Sequence, residues 1–148
     1  MFDLTPIPPM LVHFPIALLI IGLLAEIVGL ALKKKFFSDA AFLLLILGAA
    51  GAVAAVLSGS NAAEGLEEAG TLKQAVEAHE GAAELAMWLA VIAAAFRTAL
   101  FFMKRHTGAL RYVSAALFLI AVLAVARAGY YGGELVFKHA AGVTFQIG

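Results

Sequence analysis

Val12-His13-Phe14-Pro15-Ile16-Ala17-Leu18-Leu19 is the stretch that decides the fold. It lies at the head of a run from Met10 to Leu32 whose only ionisable residues are His13 and Glu26. About 20 apolar residues at ~1.5 Å rise cover the ~30 Å of hydrocarbon in a bilayer, so the run is long enough to cross one. A histidine at the mouth of such a helix is costly to hold there without a partner. The rest of the chain is expected to bring other histidines to the same mouth.

Composition points the same way. Of 148 residues, 64% are hydrophobic and 14% charged, well outside the balance of a soluble domain. Mean hydropathy is +0.99, and the length suits one domain. A net charge of zero implies no basic surface for nucleic acid. Cysteine is absent, which removes disulfides, thiolate metal sites and covalent haem attachment. Ahead of the first run stands Asp3 and no Lys or Arg, so a basic signal-peptide head is missing. The first run is therefore expected to remain as a membrane helix.

Onward from that run, an all-α integral membrane four-helix bundle is expected, with helices at about 10–32, 40–57, 72–103 and 112–131. Pro6, Pro8 and Pro9 stiffen the lead-in; either Pro9 occupies the first helical turn, or Pro15 opens the helix with His13 at its cap. The second helix carries small-xxx-small pairs at Gly48/Ala52, Gly51/Ala55 and Ala55/Gly59, suited to close helix packing or to a flat ligand. Residues 58–71 form a polar, acidic, glycine-broken loop, and Thr71-Leu72-Lys73-Gln74 has the form of a capping box. In the third helix His79 heads a stripe through Ala82, Ala83, Ala86, Ala90, Ala93 and Ala94, which leaves room for something bulky or for tight packing. Gly129-Tyr130-Tyr131-Gly132-Gly133 is expected to break the fourth helix, leaving 132–148 as a tail with His139.

Charge gives the topology. Lys33, Lys34, Lys35, Lys104, Arg105 and Arg111 flank the two short connections, and the opposite ends carry Lys73, Arg127 and Lys138 against seven Glu and Asp3. The positive-inside rule places both short connections in the cytoplasm and both termini outside, which in a bacterial inner membrane is the periplasmic side. His13, His79 and His139 then arrive at one leaflet from three segments, and His106 falls in a basic, solvated loop.

Neutral imidazole is a good ligand for iron, copper and zinc. Two imidazoles on facing helices can clamp a b-type haem without any cysteine, giving an electron carrier. His79 with His13 or His139 is the expected axial pair, and Arg127 and Lys138 suit the propionates. Tyr130 and Tyr131 either donate hydrogen bonds or mark the interface. The alternatives are a non-haem metal site using the same histidines with Glu80, Glu84 or Glu134, and a cofactor-free structural subunit of a respiratory complex. Glu26 and Arg97 lie at similar distances from the ends of their helices, and are expected to form a buried ion pair, a proton pathway being the rival. No hydrolase or nucleotide-binding motif is present.

The segment Pro9-Met10-Leu11-Val12-His13-Phe14-Pro15-Ile16-Ala17-Leu18 resembles the opening of a family of bacterial four-helix membrane proteins labelled a domain of unknown function. Gly129-Tyr130-Tyr131-Gly132-Gly133-Glu134-Leu135-Val136-Phe137-Lys138-His139 is similar to that family's closing G-x-x-G-G-x-L-V-[YF]-x-H motif. The resemblance covers essentially the whole chain and carries the family's histidines onto His13, His79 and His139. Members often occur near c-type cytochromes, which implies redox work as an electron-transfer subunit rather than a stand-alone enzyme. The implied partners, beyond membrane lipid, are a periplasmic cytochrome, a quinone-linked complex or a second copy of the chain. The family commonly has His-Pro where this chain has Pro8-Pro9, so a further histidine is missing and fewer ligands are implied at the mouth; separately, Ala140 replaces a usual Gly.

Overall fold

The computed structural model describes the backbone of residues 7–63 and 71–139, and side chains over 13–59 and 72–138. All of the described chain apart from two short connections is helical: α1 (Ile7–Leu32), α2 (Lys35–Ala63), α3 (Thr71–Phe102) and α4 (Gly108–His139). α1 packs on α2, α2 on α3, α3 on α4, and α4 returns to α1, so α1 faces α3 across a diagonal. One end of the bundle holds the 33–34 and 103–107 connections and is called the loop end here. The other, where α1 begins and α4 finishes, is the terminal end.

Each helix contains a segment long and apolar enough to cross a membrane. Apolar side chains also cover the outside: Ile21, Leu24, Leu43, Trp88, Ile92 and Leu123 are all exposed. A helix that is hydrophobic on every face belongs in a core or in lipid. The interior is built instead from Leu19, Leu45, Phe118 and the α3 alanines Ala82, Ala86, Ala90 and Ala93. Those alanines are packed, so the stripe below His79 serves close helix approach. The α2 glycines do the same. A Cβ on Gly48 would come within 2.7 Å of Leu19, and one on Gly51 within 3.1 Å of Pro15.

Three boundaries differ from the sequence reading. α1 starts at Ile7 and runs straight through Pro15, so Pro8 and Pro9 lie in its first turn, where missing N–H groups cost nothing. α2 extends from Lys35 to Ala63, beyond the expected 40–57, and residues 64–70 of the acidic loop lie outside the described residues. α4 begins at Gly108 and continues through Gly129-Tyr130-Tyr131-Gly132-Gly133 to His139 instead of breaking there. In lipid, a broken helix leaves backbone groups with no water to bond, so glycine interrupts a membrane helix far less readily than a soluble one.

The loop end is closed by lysines in an unusual conformation. Lys33 and Lys104 have φ of 54° and 56°, the left-handed region in which glycine normally ends a helix. At the end of α3, the Arg105 N–H donates to the Leu100 carbonyl at 2.9 Å and the Lys104 N–H to the Phe101 carbonyl at 3.1 Å. This is a Schellman closure, satisfying the last carbonyls with a lysine in the glycine position.

Candidate functional site

Among the described residues, the clusters of polar side chains that bond between helices lie in two places, one toward each end.

At the terminal end, His79 projects from α3 onto α4. Its ring lies over Gly132, whose added Cβ would come within 3.1 Å of Cε1. Nδ1 lies 3.1 Å from the carbonyl oxygen of Ala128. A carbonyl can only accept, so in the neutral ring Nδ1 carries the proton and Nε2 keeps its lone pair. A backbone carbonyl fixing one nitrogen so that the other can ligate is the usual support of a metal-binding histidine. α4 supplies both the acceptor and the room, through Ala128 and Gly132.

The other candidates are placed differently. His13 is exposed on α1. His139 is the last residue of α4, and its side chain lies outside the described residues. Along the helices, at ~1.5 Å per residue, His13 stands ~20 Å from Glu26, His79 ~27 Å from Arg97, and His139 ~37 Å from Ser114. Since Glu26, Arg97 and Ser114 meet at one level, the three histidines rise in steps toward the terminal end rather than sharing one depth. Among the described residues, no three His, Asp or Glu side chains converge into a metal-binding group. Arg127 is exposed and lies over the Tyr131 ring, 5.5 Å from its centroid. Lys138 pairs with Glu134, which also accepts a hydrogen bond from the Tyr130 hydroxyl at 3.4 Å. Glu84 is exposed and Glu80 half-buried.

Toward the loop end, Glu26 and Arg97 form the ion pair expected from sequence. Arg97 Nη1 donates to Glu26 Oε1 at 3.0 Å and Nη2 to Oε2 at 3.1 Å, a two-pronged contact between the diagonal helices. Both residues are buried. Nη2 also donates to the Ser38 hydroxyl at 2.8 Å and the Ser38 carbonyl at 3.1 Å, and Nη1 to Ser114 Oγ at 3.4 Å. Nη1 also faces His106 Nε2, so its two N–H groups are shared among Glu26, His106 and the more distant Ser114. His106 is therefore not the solvated loop residue expected: it is half-buried and belongs to this network. Burial, then the Arg97 charge, hold its pKa below the ordinary histidine value, with Glu26 opposing and Arg111 reinforcing. Sequence reading missed Ser38, Ser114 and His106 because each bonds through tertiary contact alone. A lone serine near a helix end was the only available signal.

These features define a four-helix, multi-pass membrane protein with one prepared histidine and one buried charge network. The chain belongs to the family described as "Predicted membrane protein (DUF2231)", which it matches over residues 4–145. Comparison with curated proteins and with solved structures gives no match.

Proposed function

We propose that this protein is a b-type haem-binding electron carrier of the bacterial inner membrane, with His79 as an axial ligand. The observation that supports the reading is the lock on His79: Nδ1 is held by the Ala128 carbonyl, and Nε2 is left as the lone-pair nitrogen. A second axial ligand from this chain would be His13 or His139, and either would have to bridge the step of ~7 or ~10 Å in height that separates it from His79. At the same end Arg127, over the Tyr131 ring, would supply cationic charge for propionates, and Lys138 would do so by exchanging its Glu134 partner for one of them. Haem bound by two imidazoles supplies a one-electron couple. The chain's own contribution is to hold the ligand tautomer through the Ala128 carbonyl. A site at one leaflet needs a partner to carry the electron onward, a periplasmic cytochrome, a quinone-linked complex or a second copy.

The test is a reduced-minus-oxidised optical spectrum of the purified chain, with His79→Ala beside it. A Soret band that collapses in His79→Ala is expected. No band in the parent, or one that His79→Ala leaves unchanged, overturns the reading, and stoichiometric iron, copper or zinc without porphyrin redirects it to a non-haem centre. The proposed orientation is checked separately. With no native cysteine, single Lys34→Cys and Lys73→Cys reporters are unambiguous. An impermeant maleimide added to cells should label the second and spare the first.

A further inference from the structure

A cavity of about 370 Å³ opens at the loop end, between the two connections. Its wall includes Lys33, Lys34, Lys104, Arg111 and Ser38, with Arg97 and His106 at the back. Among the described residues the charge there is not balanced. Arg97 is neutralised by Glu26, and Lys35 by Asp39 at 2.6 Å. Lys33, Lys34, Lys104 and Arg111 have no acidic partner among the described residues. Arg111 spends one N–H on the Gly29 carbonyl, at 2.8 Å, which fixes its guanidinium and leaves further donors.

Topology alone accounts for lysines near these connections. It does not account for where two of them sit. Lys33 and Lys104 each occupy a left-handed turn that glycine or asparagine adopts at lower cost, and both line the same cavity. Non-glycine residues held in that region at two symmetric points are strain retained around a common feature. The depth of the opening identifies its surroundings. Phe36, Phe102 and Tyr112 beside these residues are strongly exposed, and aromatic rings of this kind sit at the headgroup level of a bilayer.

We propose that the cavity is a binding site for the phosphate of an anionic phospholipid headgroup. Arg111 presents a planar fork to two phosphate oxygens, and Lys33, Lys34 and Lys104 supply the surrounding charge. The acyl chains follow the exposed aromatic side chains into the hydrocarbon. The site is independent of the haem reading.

The experiment uses the full chain, delipidated in a neutral detergent, and native mass spectrometry with phosphatidylglycerol, phosphatidylcholine or inorganic phosphate added. Lys33→Asn with Lys104→Asn is the informative variant, because asparagine tolerates the left-handed backbone while removing both charges. Phosphatidylglycerol should be retained over phosphatidylcholine, and the double variant should bind it about 25-fold more weakly, about five-fold per lysine. Lys34→Gln, exposed and not itself in the left-handed conformation, should give about five-fold and guards against misfolding of the double variant. Lys73→Asn, at the other end, should bind as the parent does. Equal retention of both lipids, or undiminished binding by the double variant, overturns the site. Displacement of phosphatidylglycerol by equimolar inorganic phosphate overturns the lipid assignment in favour of a soluble anion.

Discussion

Arg97 and Glu26 meet across the diagonal of the bundle, nitrogen to oxygen at 3.0 and 3.1 Å, with both side chains buried. The contact joins two helices that do not otherwise pack face to face, and fixes their relative height. An ion pair in such surroundings gains Coulomb energy only by giving up hydration. Its contribution is therefore more to register than to stability, and it is asymmetric to mutation.

Glu26→Gln leaves the Arg97 charge buried without its counter-charge. Loss of one member of a buried pair costs about 3–5 kcal/mol, and a drop of that order is expected in the unfolding free energy in detergent. Glu26→Leu combined with Arg97→Met should recover most of it, because two well-packed apolar side chains replace a desolvated pair. A double variant as unstable as Glu26→Gln would mean that the network stabilises the bundle outright.

How much of this was readable beforehand depends on how local each signal is. The four spans follow from apolar runs and needed no tertiary information. Glu26 and Arg97 were pairable because each is the one charged residue in the loop-end half of its helix, at a similar distance from its end. The third partner, His106, lay in a basic loop whose sequence carries no periodicity, and only the return of the 103–107 connection over Arg97 places it. Gly129-Tyr130-Tyr131-Gly132-Gly133 misled because glycine breaks helices through competition from water, which lipid does not offer. His79 was singled out from sequence at the mouth of its helix, but its contact with Ala128 and Gly132 and the stepped heights of His13, His79 and His139 depend on helix register, which composition does not encode.

His106 makes the loop end sensitive to pH. Its folded pKa is depressed, by burial first and by Arg97 next, below the value it has in the unfolded chain. The unfolded state therefore binds the proton more readily. The contribution is fully present above the unfolded pKa of about 6.5 and is lost as pH falls toward the folded value. Unfolding midpoints should decline from pH 7.5 to pH 5.5, and the slope should flatten in His106→Gln, whose carbonyl can still accept from Arg97. An identical slope in His106→Gln would assign the dependence to other groups.

Gly48 and Leu19 form a size-matched contact in the α1–α2 interface. Leu19 is fully buried, and its Cγ and Cδ2 would lie 2.7 Å from a Cβ on residue 48. Gly48→Ala alone should cost about 1–3 kcal/mol by overpacking, and Leu19→Ala alone about 2–5 kcal/mol by opening a cavity. The double variant should be more stable than the sum of the two losses predicts, since the new methyl enters the space that leucine vacates. Strict additivity in thermal unfolding would show that the helices move apart instead of holding their distance.

Gly132 supplies the seat for the His79 ring, and a methyl there tests the seat directly. Gly132→Ala puts a Cβ 3.1 Å from Cε1 and 3.5 Å from Nδ1, so the ring must shift and its hydrogen bond to the Ala128 carbonyl must lengthen. A loss of about 1–3 kcal/mol is expected. Gly133→Ala, one residue on, meets nothing within 4 Å and should be neutral or slightly stabilising through helix propensity. In a His79→Ala background the obstacle is gone, and Gly132→Ala should then cost nothing. If the cost persists there, the glycine is required for some reason other than the imidazole. In protein that carries haem, Gly132→Ala should also move the Soret band while Gly133→Ala leaves it in place, because only the first disturbs the nitrogen that orients the ligand.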